Sequence, residues 1–299
     1  MSKLKTDPIT PSDLIEFLDR HSDFAFELLV LNALDAEGFE CEHGGTYEDP
    51  FTDKPRQFDI RATKRFGQRI IRFAVECKNL KQNFPLLVSC VPRTEDESFH
   101  ELAFSVDPDR ISLSRSSPRV PAFEPRTKSI RLTGSESLYK PKEYVGKSSD
   151  QIGRNRENAI FSNDSDVYSK WAQAISSAQD LTDRACYDGE SRDADFYFSV
   201  VLPLLVIPDD TLWVAHFNHS GSRTSAPQQA DHCSFFVNMQ YFAGDKLHGT
   251  QYRISHLEFV TFSGLRKLIE TLTSSNKALY AVFPMDTILA KVKAEFRAT

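Results

Sequence analysis

Residues Phe58 to Asn79 leave this chain few conformational options. Two runs rich in β-branched and aromatic residues flank Arg65-Phe66-Gly67-Gln68, which places a glycine where a hairpin turn favours one. The second run, Ile70 to Val75, is β-branched or aromatic at four of six positions and too short for an independent helix. A hairpin here puts Asp59 on a strand antiparallel and adjacent to the strand that carries Glu76. Side chains alternate along a strand, so Glu76 and Lys78 share one face while Val75 and Cys77 share the other.

An Asp on one strand and a Glu on its neighbour can hold a hard cation between them. Cys77 could add its backbone carbonyl as a further oxygen ligand, and Lys78 points toward the same place. A divalent cation fixed in this way polarises a phosphoryl oxygen and lowers the pKa of an attacking water, while a positive side chain stabilises the developing charge. Phosphodiester hydrolysis is the chemistry such a set serves best. The competing structural reading is a strand-end ion pair of Glu76 with Lys78 and a solvated Asp59 near a turn. Against it, three charges on one sheet face are costly unless a metal or substrate uses them.

The 299 residues suffice for one elaborated domain. A net charge of -6 neither supports nor excludes a nucleic-acid partner, because local charge along the phosphate path decides that. Five widely spaced cysteines without a Cys-x-x-Cys pair read as reduced thiols. The first residues lack the apolar stretch of a signal peptide, and no later segment approaches the ~18 apolar residues of a membrane span. The expectation is a cytoplasmic protein with no membrane partner.

Ser12 reads as the cap of a short helix to about Asp19, and a second helix is expected from Ser22 to Glu37, stopped by Gly38. Its stripe is Phe24, Leu28, Leu31 and Leu34, with Glu27 bordering the buried face. Turn formers dominate from His43 to Pro55, and Phe84 to Val91 reads as a further strand. Pro92 to Gly153 is less regular, and Lys140, Lys142, Lys147, Arg154 and Arg156 in and just after it are candidate phosphate contacts. Helical spacing returns with Val167, Trp171, Ala174, Ala178 and Leu181. Strands are expected at Phe196–Ile207, Leu212–Phe217, Ser234–Phe242 and Tyr252–Phe262, then helices at Gly264–Thr273 and Pro284–Phe296 around a short strand, Ala278–Phe283. His216, His219, His232 and Cys233 lack zinc-finger spacing and read as ordinary polar positions.

Glu27 on an N-terminal helix, Asp59 on one strand and Glu76-Cys77-Lys78 on the next resemble the PD-(D/E)xK nuclease superfamily, with Phe58 where that family often has proline. The resemblance implies an α/β fold with a restriction-endonuclease-like αβββαβ core, a mixed sheet flanked by helices. The core would take residues 22–91 and about 164–217, with a sizeable insertion at about 92–153 and a C-terminal α/β elaboration at about 218–299. It further implies that Asp59 and Glu76 bind Mg2+ or Mn2+, that Glu27 completes the metal site and that Lys78 assists catalysis. By analogy the chain would be a DNA endonuclease of a prokaryotic restriction or anti-phage defence system. It would act on double-stranded DNA as a homodimer or with a partner subunit. An RNA-cleaving nuclease of the same fold and a non-catalytic nucleic-acid-binding or scaffold subunit are the alternatives.

Overall fold

The computed structural model describes residues 7–49, 52–106, 127–191, 194, 196–243 and 250–298. Two helices, α1 (Pro11–Arg20) and α2 (Phe24–Ala36), lead into the strands β1 (Glu40–Glu48), β2 (Pro55–Phe66) and β3 (Arg69–Cys77). The chain then forms β4 (Leu86–Pro92), β5 (Phe99–Val106), β6 (Thr127–Thr133), β7 (Tyr144–Arg154) and β8 (Ile160–Ser162) before the long helix α3 (Ser165–Ala185). Next come β9 (Phe196–Ile207), β10 (Leu212–His216), β11 (Gln228–Gln229), β12 (His232–Ala243) and β13 (Thr250–Thr261). Three helices, α4 (Phe262–Thr273), α5 (Asn276–Val282) and α6 (Met285–Ala298), close the chain.

The strands join one large mixed sheet in the order β1-β2-β3-β9-β13-β12-β7-β4-β10-β11. β1, β2 and β3 are antiparallel neighbours, whereas β3 and β9 run parallel. The path α2-β1-β2-β3 and then α3-β9 is therefore helix, three strands, helix, strand, with the intervening segments placed elsewhere in the sheet. Period two divides the residues of β3 between two layers. Ile71, Phe73, Val75 and Cys77 join Val30 and Leu34 of α2 and Leu265 and Ile269 of α4 in one core, while Ala74 packs with Ile175, Ala178 and Leu181 of α3 on the other face.

Several elements depart from the sequence expectations. Glu40–Glu48, hidden by its charges and by Gly44-Gly45, is an edge strand, so Arg69–Cys77 is the third strand of the path and Leu86–Pro92 lies far across the sheet beside β10. Gly45 pairs with Phe58, and a Cβ there would stand 2.6 Å from the Phe58 ring, so the aromatic covers the strand where glycine leaves room. Thr10, not Ser12, caps α1 through a reciprocal capping box with Asp13. α1 buries none of its residues, and Leu14, Ile15, Phe17 and Leu18 are exposed.

The buried face of α2 is Phe26, Val30, Ala33 and Leu34; of the expected stripe Leu34 is buried and Leu31 half-buried, whereas Phe24 and Leu28 are exposed. This helix is apolar nearly all round, so periodicity alone does not fix which side packs. Ala278–Phe283 falls mainly within helix α5, whose cap Ser275 accepts from the Ala278 amide at 3.1 Å; short apolar runs are ambiguous between helix and strand. The middle segment supplies β5, β6 and β7, and its residues 107–126 lie outside the described residues. The C-terminal β13 pairs in parallel with β9 within the main sheet.

Polar side chains on the α3-facing side of β2 and β3 dock that helix and the turn after it. Arg61 donates to Ser177 at 3.1 Å and to Asp180 at 2.7 Å. Arg72 forks onto both oxygens of Asp188 at 2.9 and 2.6 Å and reaches Ser199 at 2.7 Å. Asp188→Ala should lower the unfolding free energy by about 3 kcal/mol, because it strands a buried guanidinium. Arg72→Met combined with Asp188→Leu should recover most of that loss. Denaturant unfolding of the three proteins tests this, and a single variant within about 0.5 kcal/mol of the parent would contradict it.

Candidate functional site

The site lies where β2 begins, where β3 ends and where α2 and α3 approach from opposite faces. The antiparallel register pairs Ile60 with Val75, so Asp59 and Glu76 are the next opposed pair, as the hairpin reading expects. The Cys77 amide donates to Asp59 Oδ2 at 2.8 Å, and the Asp59 amide approaches Glu76 Oε1 at 3.4 Å. Backbone donors thus fix both carboxylates at the strand ends.

Both carboxylates converge on one cation, the ammonium of Lys170. Its Nζ lies 2.7 Å from Asp59 Oδ2 and 3.2 Å from Glu76 Oε2. Lys170 is absent from the sequence-based set, although a signal existed. It sits three residues after Val167 and four before Ala174, on the buried face of α3. A lysine in that stripe must either snorkel to solvent or meet an acid.

Burial fixes the electrostatics. Glu76 is 1% exposed, and desolvation followed by the charge of Asp59 pushes its pKa up to about 8 despite the nearby ammonium. Burial works against the charged form of Lys170, but Glu76 and Asp59 outweigh it and raise its pKa. Glu27 is raised by desolvation and next by Asp59, which places this helical carboxylate within the field of the strand pair. Burial is the main cause that pushes the Tyr47 hydroxyl up to about 12, with the charge of Glu76 second. The Cys77 thiol, turned into the core on the α2 side, is raised well above its ordinary value by burial.

The remaining sequence-selected residues are near the pair but engaged differently. Glu27 Oε2 lies 3.7 Å from His43 Nε2. Lys78 does not reach Asp59 or Glu76: β3 ends at Cys77, and Lys78 Nζ instead pairs at 3.2 Å with Asp23, which also accepts from the Asn79 amide at 2.8 Å. Among the described residues, no group of three or more His, Cys, Asp or Glu side chains is placed to hold a metal ion. The oxygens of Asp59 and Glu76 already accommodate one cationic group, the Lys170 ammonium, and Glu27 lies in their periphery.

Three of the basic residues of the middle segment are engaged with the protein's own groups. Lys140 donates to the carbonyls of Ser135 and Ser137 at 2.7 and 2.6 Å, Lys147 pairs with Glu97 at 2.6 Å, and Arg154 bonds the Asn158 carbonyl at 3.1 Å. His216 stacks on Tyr144, His232 pairs with Glu258, and Cys233 lies 3.5 Å from Cys90, so these residues assemble no zinc site. All five cysteines are free. Among the described residues no helix is long and apolar enough to cross a membrane.

No protein-family model matches this chain, and no curated protein or solved structure matches it significantly.

Proposed function

We propose that this chain is a metal-dependent nuclease of the restriction-endonuclease-like class, acting on DNA phosphodiesters. The observation that carries the reading is the opposition of Asp59 and Glu76 across the β2–β3 hairpin with both carboxylates aimed at one cation. The element order helix, three strands, helix, strand, with β3 and β9 parallel, supports the same reading. Asp59 and Glu76 would hold Mg2+ or Mn2+, the Cys77 carbonyl would add an oxygen at the strand end, and Glu27 would complete the acidic surround. The bound ion would supply Lewis acidity at the phosphoryl oxygen and acidify a water. Lys78, with 23% of its side chain exposed beside Asp23, would place positive charge where the scissile phosphate gains negative charge.

Incubation of the purified protein with supercoiled plasmid, linear duplex and RNA, each with Mg2+, Mn2+ or EDTA, tests the proposal. The expected result is divalent-ion-dependent cleavage of DNA, reduced roughly a hundredfold by Lys78→Ala. Cleavage that persists in EDTA, or failure to cut any of these polymers, would overturn it, and preferential cutting of RNA would move the substrate to that polymer. A second reading, a non-catalytic nucleic-acid-binding or scaffold protein, is favoured by one observation: the ammonium of Lys170 already occupies the place between the two acids.

A further inference from the structure

Lys170 enters the candidate site from α3, far along the chain from the hairpin that supplies the acids. Its side chain is 20% exposed, whereas that of Glu76 is 1% exposed, so the lysine meets solvent and the glutamate does not. Two acids opposed across an antiparallel hairpin resist joint ionisation, and burial deepens that resistance unless a cation stands between them. The other basic groups around the site have their own partners: His43 faces Glu27 at 3.7 Å and Lys78 faces Asp23 at 3.2 Å. Among the described residues, Lys170 is the base that pairs with both Asp59 and Glu76.

The ammonium donates to Asp59 Oδ2 and Glu76 Oε2, oxygens that a hard dication would also seek. A dication and an ammonium sharing those oxygens repel each other in a poorly solvated place. We propose that Lys170 is a resident counter-ion that holds Asp59 and Glu76 together as a preformed cation seat and yields that seat when a divalent ion binds. This rests on the metal-dependent reading above and adds a regulatory feature to it. Loading becomes an exchange of cations, and its midpoint is set by how tightly the lysine is held. Lys170 thus acts as a positioning residue through the two carboxylates.

Calorimetric titration of Mn2+ and Mg2+ into the full chain without nucleic acid tests the proposal, together with thermal unfolding in metal-free buffer at pH 8. Lys170→Met should bind Mn2+ roughly tenfold tighter than the parent, since no ion pair has to be broken first. It should also melt about 2–4 °C lower without metal, because the carboxylates lose their counter-ion. Lys170→Arg keeps the charge and can fork onto both acids, so it should bind Mn2+ no tighter than the parent. Asp59→Asn should lose Mn2+ binding.

If Lys170→Met binds no tighter than the parent while Asp59→Asn abolishes binding, the counter-ion role is wrong and the metal reading stands. An unchanged metal-free melting temperature for Lys170→Met, or Lys170→Arg binding as tightly as Lys170→Met, would also remove the counter-ion role. Absence of Mn2+ and Mg2+ binding in every form would remove the metal reading and the exchange with it.

Discussion

Replacing Asp59 by asparagine is expected to abolish divalent-ion-dependent cleavage while leaving the fold intact. The substitution is nearly isosteric, and its carbonyl oxygen can still accept from the Cys77 amide, now 2.8 Å from Asp59 Oδ2. The strand end should therefore keep its geometry. What disappears is the carboxylate oxygen that faces the Lys170 ammonium at 2.7 Å. Loss of one preorganised electrostatic contact of this kind costs roughly a thousandfold in rate. Single-turnover cleavage of plasmid DNA by parent and variant, paired with unfolding midpoints, separates a chemical effect from a folding one. A variant that cuts within about threefold of the parent would show that Asp59 does not belong to the machinery.

The part of this site that was legible in the sequence is the part encoded locally. Asp59 and Glu76 are joined by a hairpin, and period two together with a short loop fixes which residues oppose each other. Lys170 lies 111 residues from Asp59 and 94 from Glu76, and its arrival depends on how α3 docks across the sheet. No local pattern states that distance. The buried ladder of Arg61 with Asp180 and Arg72 with Asp188 guides the docking, but each partner alone looks like a surface charge.

β1 escaped for a different reason. It pairs with a neighbour on one side only and alternates exposed with half-buried positions along most of its length, so its charged residues and glycines resemble a loop. The insertion of β13 between β9 and β12 is equally nonlocal, since consecutive apolar runs do not state which neighbour they choose. Lys78 shows the reach of period two: β3 ends at Cys77, one residue before it, and its side chain turns to Asp23.

Glu76→Gln is expected to make the protein more stable at pH 8 and to flatten its stability profile between pH 5 and pH 8. Burial, with the charge of Asp59 second, raises the folded-state pKa of Glu76 from the ordinary 4.5 to about 8. In the unfolded chain the carboxyl ionises near its ordinary value. Below that value both states hold the proton, and the contribution to stability is fully present. Between it and about 8 the unfolded chain sheds the proton while the folded one keeps it, so stability falls as pH rises through that window. Taken over the whole window, the gap corresponds to on the order of 4 kcal/mol.

Glutamine carries no titrating proton and retains a carbonyl acceptor for the Lys170 ammonium, which also keeps its 2.7 Å contact with Asp59. The variant should match the parent near pH 5 and exceed it progressively toward pH 8. Urea unfolding in EDTA-containing buffer at several pH values measures the difference without any divalent ion contributing. Parallel profiles for parent and variant would mean that Glu76 is not held against its own ionisation. A residue kept at such a cost, opposite a second carboxylate and beneath a lysine, is hard to explain as packing, because glutamine or leucine would fill the same space without charge.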